Sequence, residues 1–366
     1  MEGRSGSPDY ILLGVTGILL GIGIIMVFSA SSIISQVEYG DSYFFLKRQS
    51  VWAFLGLLGM FIAAKVNYWK WKKIALFMLV LNFIFLALVF VPGLGRQVYG
   101  AYRWIQIGGI NFQPSEFTKL ALIIFTAAYL ARGGIVKSLT RGVLPPIFLL
   151  GVSFYLIIRQ PDMGTAVAIS TCIMIMLFVA GMKWSHLFLL GALTVPIGIS
   201  LVLQSEYRKE RLLSFVNPWE DHMETGYQII QSLYALGPGG FAGVGLGQSR
   251  QKFFYLPEPH NDFIFAIIGE ELGFLGAAFV LILFFVFIWR GLRIAAYSPD
   301  LLGSLLATGI TSIVGIQALM NIGVVTASIP VTGINLPLVS AGGSSLFFTL
   351  TGVGILLNIS KHITKN

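Results

Sequence analysis

Apolar stretches long enough, or nearly long enough, to cross a bilayer recur along this chain. They fall at residues 10–30, 50–66, 74–91, 117–131, 143–158, 164–182, 185–204, 263–289, 301–322 and 342–360. No soluble core could absorb them. Of 366 residues, 56% are hydrophobic and only 11% charged, and the mean hydropathy is +0.82. Lipid must be the solvent for most of these side chains. The runs are apolar all round rather than alternating, which excludes a β-barrel, and an open sheet cannot span lipid. The expected fold is an all-α integral membrane protein of about ten transmembrane helices, one polytopic domain over 1–366. The run from Tyr10 to Phe28 exceeds the length of a signal-peptide core, so it reads as an uncleaved first helix.

The distribution of Lys and Arg orients this bundle. One set of connections holds Arg4; Lys65, Lys70, Lys72 and Lys73; Arg132, Lys137 and Arg141; Lys183; Arg290 and Arg293; Lys361 and Lys365. The opposite short loops hold only Lys47, Arg48, Arg96, Arg103 and Arg159. The richer side is expected to be cytoplasmic, with both termini on it. The same topology explains the net charge of +8 and removes nucleic acid as a partner. Residues 205–262 then form a long extracellular loop. Within it, 205–215 and 225–236 read as amphipathic helices, either lying in the headgroup layer or capping the bundle. The single cysteine, Cys172, permits no intrachain disulfide. The four histidines form no metal-ligand pair. No internal repeat supports an inverted-repeat transporter.

Charges inside such spans are costly and demand a reason. Glu116 and Lys119 sit i,i+3 in QPSEFTKL and can pair on one helix face. They form either a structural lock or a cation waiting for an anionic headgroup. Asp262 stands at the mouth of the run after LPEPHN, near the outer surface, where it either caps the eighth helix or performs chemistry. Pro257 and Pro259 are expected to keep its approach extended. Glu270 and Glu271 lie two turns further in. They cannot both share the face of Asp262, so structural pairing is expected, with Lys119 as the partner of Glu270. Arg48, Arg103 and Trp104 lie in outer connections beside these groups. The uncharged loop PVTGINLPLVSAGGSS, 330–345, is suited to re-enter the bundle. The backbone around its Ser344 and Ser345 suits anionic oxygens.

Several long motifs carry a family resemblance. WIQIGGINFQPSEFTKLAL, RQPDMGTA, NPWED, the run from Gly226 to Gly276, and PVTGINLPLVSAGGSS resemble the SEDS family (shape, elongation, division, sporulation) over nearly the whole chain. The cell-division (FtsW) branch is the nearer one and the rod-shape (RodA) branch is next. One departure is Ala341, where many members carry Tyr. The resemblance implies a peptidoglycan glycosyltransferase of the bacterial cytoplasmic membrane. It would polymerise lipid II at the outer face beside a class B penicillin-binding protein. It places the family's essential Asp on Asp262, and its motif Glu and Lys on Glu116 and Lys119.

Glycan extension needs a base at the attacking hydroxyl and positive charge at the departing phosphates. Asp262 is the expected catalytic base. Lys119, Arg48 and Arg103 are the expected phosphate contacts, with Glu116, Trp104, Ser344 and Ser345 in the substrate site. A divalent cation, Mg or Mn, bridging Asp262 and the phosphates would also suit the chemistry, though no ligand cluster marks one. A lipid II flippase and a non-catalytic scaffold for a transpeptidase are the alternative readings.

Overall fold

The computed structural model describes residues 6–98, 101–107, 110–220 and 225–363. Arg4 and Lys365, used above for orientation, lie outside them. Three helices open the chain: α1 (Tyr10–Tyr39), α2 (Phe44–Lys65) and α3 (Trp69–Leu88). A small antiparallel sheet follows, of β1 (Gly95–Val98), β2 (Ala101–Ile107) and β3 (Ile110–Phe112). Then come α4 (Pro114–Leu130), α5 (Leu144–Ile158), α6 (Met163–Val179) and α7 (Trp184–Leu203). Two further helices, α8 (Glu206–Val216) and α9 (Thr225–Gly239), precede α10 (Ile264–Ala296), α11 (Leu301–Val325) and α12 (Gly343–Ser360).

Among the described residues, eight helices are long and apolar enough to cross a membrane. The apolar α6 is shorter, at 17 residues, and α4 has the same length. The small sheet is an addition to an all-α bundle. Its register sets Arg96 opposite Trp104, and Ala101 and Ile105 are buried.

The centre is built from α4, α11 and α12. Pro114 starts α4, where its missing N–H costs nothing, and nearly every residue down to Leu130 is buried. Glycines let neighbours come close: a Cβ at Gly56 would meet Leu350, and one at Gly354 would meet the backbone of Met60. These contacts weld α2 to α12.

The eighth span is not the single helix expected over 263–289. Near one end of α1, Asp9 pairs with Arg290 at 2.5 Å. Further along, Ser29 donates to Glu271 at 2.7 Å. The body of α10 therefore runs antiparallel beside α1. Asp262 does not continue that line. The carbonyls of His260 and Asn261 accept from Ala341 N and Ser340 Oγ. The nearby Leu338 and Val339 press on Gly23 of α1, which lies nearly two turns below Ser29 on the Arg290 side. The chain thus enters α10 below Glu271, climbs to Leu272, reverses at Gly273 (φ 65°, ψ −163°) and descends as the true span. Asp262 is accordingly sunk beneath the rim of the bundle rather than placed at its surface.

Loop 240–245 satisfies the break. Phe274 and Leu275 donate to the carbonyls of Gly240 and Phe241, while Val244 and Gly245 donate to those of Glu270 and Glu271. Only glycine permits the approach, since a Cβ at Gly243 would fall 2.2 Å from the Glu271 carbonyl. The long loop is therefore largely a cap: Ile229, Ile230 and Ala235 of α9 are buried, and Ser232 donates to the Val325 carbonyl at 2.8 Å.

Candidate functional site

Two re-entrant pieces of backbone hold Asp262. The uncharged loop between α11 and α12 buries Val331, Ile334, Leu336, Leu338 and Val339 inside protein, as irregular backbone at this depth requires. Asn321 of α11 clasps both pieces, donating at 2.7 Å to the carbonyls of Asp262 and of Ile334. The approach to Asp262 is turned rather than extended, with Glu258 at φ 48°. Asp262 does not cap α10, because Phe263 holds the cap position with no side-chain bond. Its carboxylate makes no hydrogen bond among the described residues. It faces Gly333, where a Cβ would stand 3.4 Å from Oδ2, and Gly333 (φ 68°) leaves that face open.

The charges around Asp262 come from distant parts of the chain. Burial pushes its carboxyl up to about 6, and Glu258 adds to the push. Arg103 and Arg211 pull it down, and Asp162 raises it slightly. Arg103 projects from β2 and is tied down by the carbonyls of Gln160, at 3.0 Å, and Pro161. Arg211 belongs to α8 and donates to the Val331 carbonyl at 3.0 Å. Asp162 caps α6 through Thr165 N and accepts from Ser115 at 3.3 Å. A carboxylate without a hydrogen bond among the described residues, raised toward neutrality and within electrostatic reach of two guanidiniums, can take a proton while anionic oxygens bind beside it.

The other predicted residues are spread more widely. Lys119 and Glu116 pair with each other at 2.5 Å, each 6% exposed. They line a cavity of about 30 Å³ with Ile313, Gln317 and Phe348. Gln317 is one helical turn from Asn321, so this pair lies deeper in the bundle than Asp262. Beyond that mutual contact, neither Lys119 Nζ nor Glu116 Oε2 has a hydrogen-bond partner among the described residues, and the cavity has room for about one water. Arg48 is exposed on α2, within electrostatic reach of Arg96 rather than Asp262. Trp104, half-buried on β2, is next to Arg103. Ser344 and Ser345 are buried in the first turn of α12, and Ser344 accepts from Gln113 N at 3.3 Å. That hydroxyl accepts within the fold and keeps its own proton free to donate.

Glu270 does not meet Lys119. The reversal at Gly273 turns both inner carboxylates toward loop 247–252. Glu270 accepts from Ser249 Oγ at 2.5 Å and Arg250 N at 2.8 Å. Glu271 pairs with Lys252 at 3.1 Å and accepts from Ser29 and Ser249 N. Arg211 and Lys252 were missed as contributors. Arg211 was visible only as part of a charged amphipathic helix, and Lys252 only as one of two cations, with Arg250, in QSRQKFF.

The described residues contain no group of three His, Cys, Asp or Glu side chains able to hold a metal ion. Asp262 alone is a poor resident site, so a divalent ion fits here only if substrate phosphates complete its shell.

Comparison with known proteins bears on these positions together. The family of cell cycle proteins that groups FtsW, RodA and SpoVE matches residues 10–365. The chain belongs to the FtsW/RodA/SpoVE family. Stage V sporulation protein E of Bacillus subtilis is 49% identical to this family member over 364 residues, 99% of each chain. The probable peptidoglycan glycosyltransferase FtsW of Geobacter sulfurreducens is 43% identical over 356 residues, covering 97% and 95%. Among solved structures, a chain of a peptidoglycan synthase complex coordinating polymerization and crosslinking superposes with a TM-score of 0.80 at 30% identity, over 96% and 97%. The rod shape determining protein RodA of Thermus thermophilus gives 0.72 at 28%, over 98% of each chain. FtsW/RodA/SpoVE membership and the apolar spans make this a multi-pass protein of the cytoplasmic membrane.

Proposed function

We propose that this chain is a peptidoglycan glycosyltransferase that polymerises lipid II, with Asp262 as general base. The observation that carries the reading is the Asp262 carboxylate itself, sunk below the rim, without a hydrogen bond among the described residues and within electrostatic reach of Arg103 and Arg211. In the reaction a sugar hydroxyl of the acceptor attacks the anomeric carbon of the donor. A carbon–oxygen bond forms there as the bond to the phosphate oxygen breaks. The electron pair leaves with the lipid pyrophosphate, and the hydroxyl proton passes to Asp262. Arg103 and Arg211 are placed to meet the growing phosphate charge.

The depth of Asp262 suits a substrate whose sugars lie at the interface while its tail stays in lipid. The site side is read as the outer face, with both termini cytoplasmic, because the Lys-rich connections lie at the opposite ends of the helices. A transpeptidase that cross-links the product, of the class B penicillin-binding type, is the partner this reading expects.

The test is polymerisation by the purified chain in proteoliposomes with lipid II as sole substrate. Wild type should make glycan strands and Asp262→Asn should not, with both equally folded. Normal strand formation by Asp262→Asn would refute the base role. Translocation of lipid II without strands would replace the enzyme by a flippase.

A further inference from the structure

The short helix that carries Asp262 at one end carries Glu270 and Glu271 at the other. Both ends are held, by different means. At the Asp262 end the anchors are backbone carbonyls bound by Asn321, Ser340 and Ala341. At the far end the anchor is a buried ionic latch. Lys252 is 3% exposed and Glu271 0%. The ammonium reaches Glu271 at 3.1 Å and the Gly247 carbonyl at 2.6 Å. Ser29 of α1 donates to Glu271 at 2.7 Å, and Ser249 donates to Glu270 at 2.5 Å.

This latch sits where the chain could choose another path. A helical Gly273 would return the amides of Phe274 and Leu275 to the carbonyls of Glu270 and Glu271. Those carbonyls now accept from Val244 and Gly245, and those amides now donate to Gly240 and Phe241. The reversal makes four backbone hydrogen bonds here and the straight helix would make two, so the backbone itself leans toward the reversed helix. The straight helix would draw Asp262 away from Asn321 and Gly333. Side chains add to that preference, and Lys252 with Glu271 is the ionic contact that ties loop 247–252 to the short helix.

We propose that Lys252 and Glu271 are positioning residues for the Asp262 carboxylate: their ion pair holds the helix reversed at Gly273 and so keeps Asp262 sunk beneath the rim, against Gly333 and Asn321. The proposal rests on the reading of Asp262 as the base. Neither residue touches substrate.

The experiment uses the full chain in nanodiscs with lipid II, comparing wild type, Lys252→Met, Glu271→Gln and Lys252→Arg, together with amide hydrogen exchange by mass spectrometry. Lys252→Met and Glu271→Gln should lower kcat by roughly 10- to 100-fold, the scale of a small misplacement of a catalytic group, with KM little changed. Exchange should quicken in 240–272 and stay at the wild-type rate in α11 and α12. Lys252→Arg, which keeps the charge, should restore most of kcat. Wild-type kcat in Lys252→Met overturns the proposal. So does a lowered kcat with exchange unchanged in 240–272, or quickened throughout the bundle. Exchange reads the latch even if the wild-type chain makes no strands, an outcome that would instead defeat the reading of Asp262.

Discussion

Two acidic sites share one short helix, and they are opposites. At its lower end Asp262 has no hydrogen bond to its carboxylate among the described residues, and burial pushes it up to about 6. At its upper end Glu270 and Glu271 are buried more completely, yet their oxygens are met by Ser29, Ser249, the amide of Arg250 and Lys252. A buried charge whose bonds are all made serves the fold. One whose bonds are left open is kept for a ligand or a proton. Depth alone does not separate the two; the partners do.

The largest effect expected from this contrast is at Asp262. Removing a general base costs about 10²- to 10⁴-fold in rate, so Asp262→Asn should drop strand formation by that order. The same change should stabilise the protein. Folding raises this carboxyl from 3.8 to about 6, so the fold favours the protonated form. Its stabilising contribution is full below about pH 4 and is lost as pH rises through 6. At pH 7.5 Asp262→Asn should therefore melt above wild type, and an unchanged or lower melting temperature would break the comparison.

At the other end the effect should fall on stability first. Glu271→Leu leaves Lys252 buried without its anion, which costs about 3–5 kcal/mol, read as a lowered midpoint of thermal unfolding in detergent. Next come the flanking cations. Arg103→Ala and Arg211→Ala should each slow turnover by about 10²-fold if they meet phosphate charge. Each should also move the acid limb of the rate to higher pH, because each cation pulls Asp262 down. Glu258→Gln should move that limb the other way, toward acid, by removing a charge that raises Asp262. The smallest effect is at Arg48, which lies on the exposed face of α2. Arg48→Gln should leave the strand-formation rate within about twofold of wild type, since surface substitutions away from such features are usually mild.

Spans, cap helices and the singling out of Asp262 were all legible, because apolar length and a costly carboxylate are local properties of sequence. The re-entry of loop 330–342 was legible too, from charge-free residues rich in glycine and proline. What could not be seen was direction. An apolar run through 263–289 looks the same whether or not the chain reverses within it. The sign of the reversal was Gly273 against the glycines of GPGGFAGVG, and it acquires meaning only once the two segments meet. The pairing of Glu270 with Lys119 failed for that reason: the reversal points the glutamates at loop 247–252, and Lys119 finds Glu116 on its own helix. Arg103 and Arg211, one from a strand and one from an amphipathic cap, meet at Asp262 only in three dimensions.

The most direct measurement is the pH dependence of single-turnover glycan formation from lipid II by the full chain, for wild type and Arg103→Ala. The account predicts an acid limb with a midpoint near 6 for wild type, the value to which burial pushes Asp262, and a higher midpoint without Arg103. A wild-type limb near 4, or one that Arg103→Ala leaves in place, would contradict it.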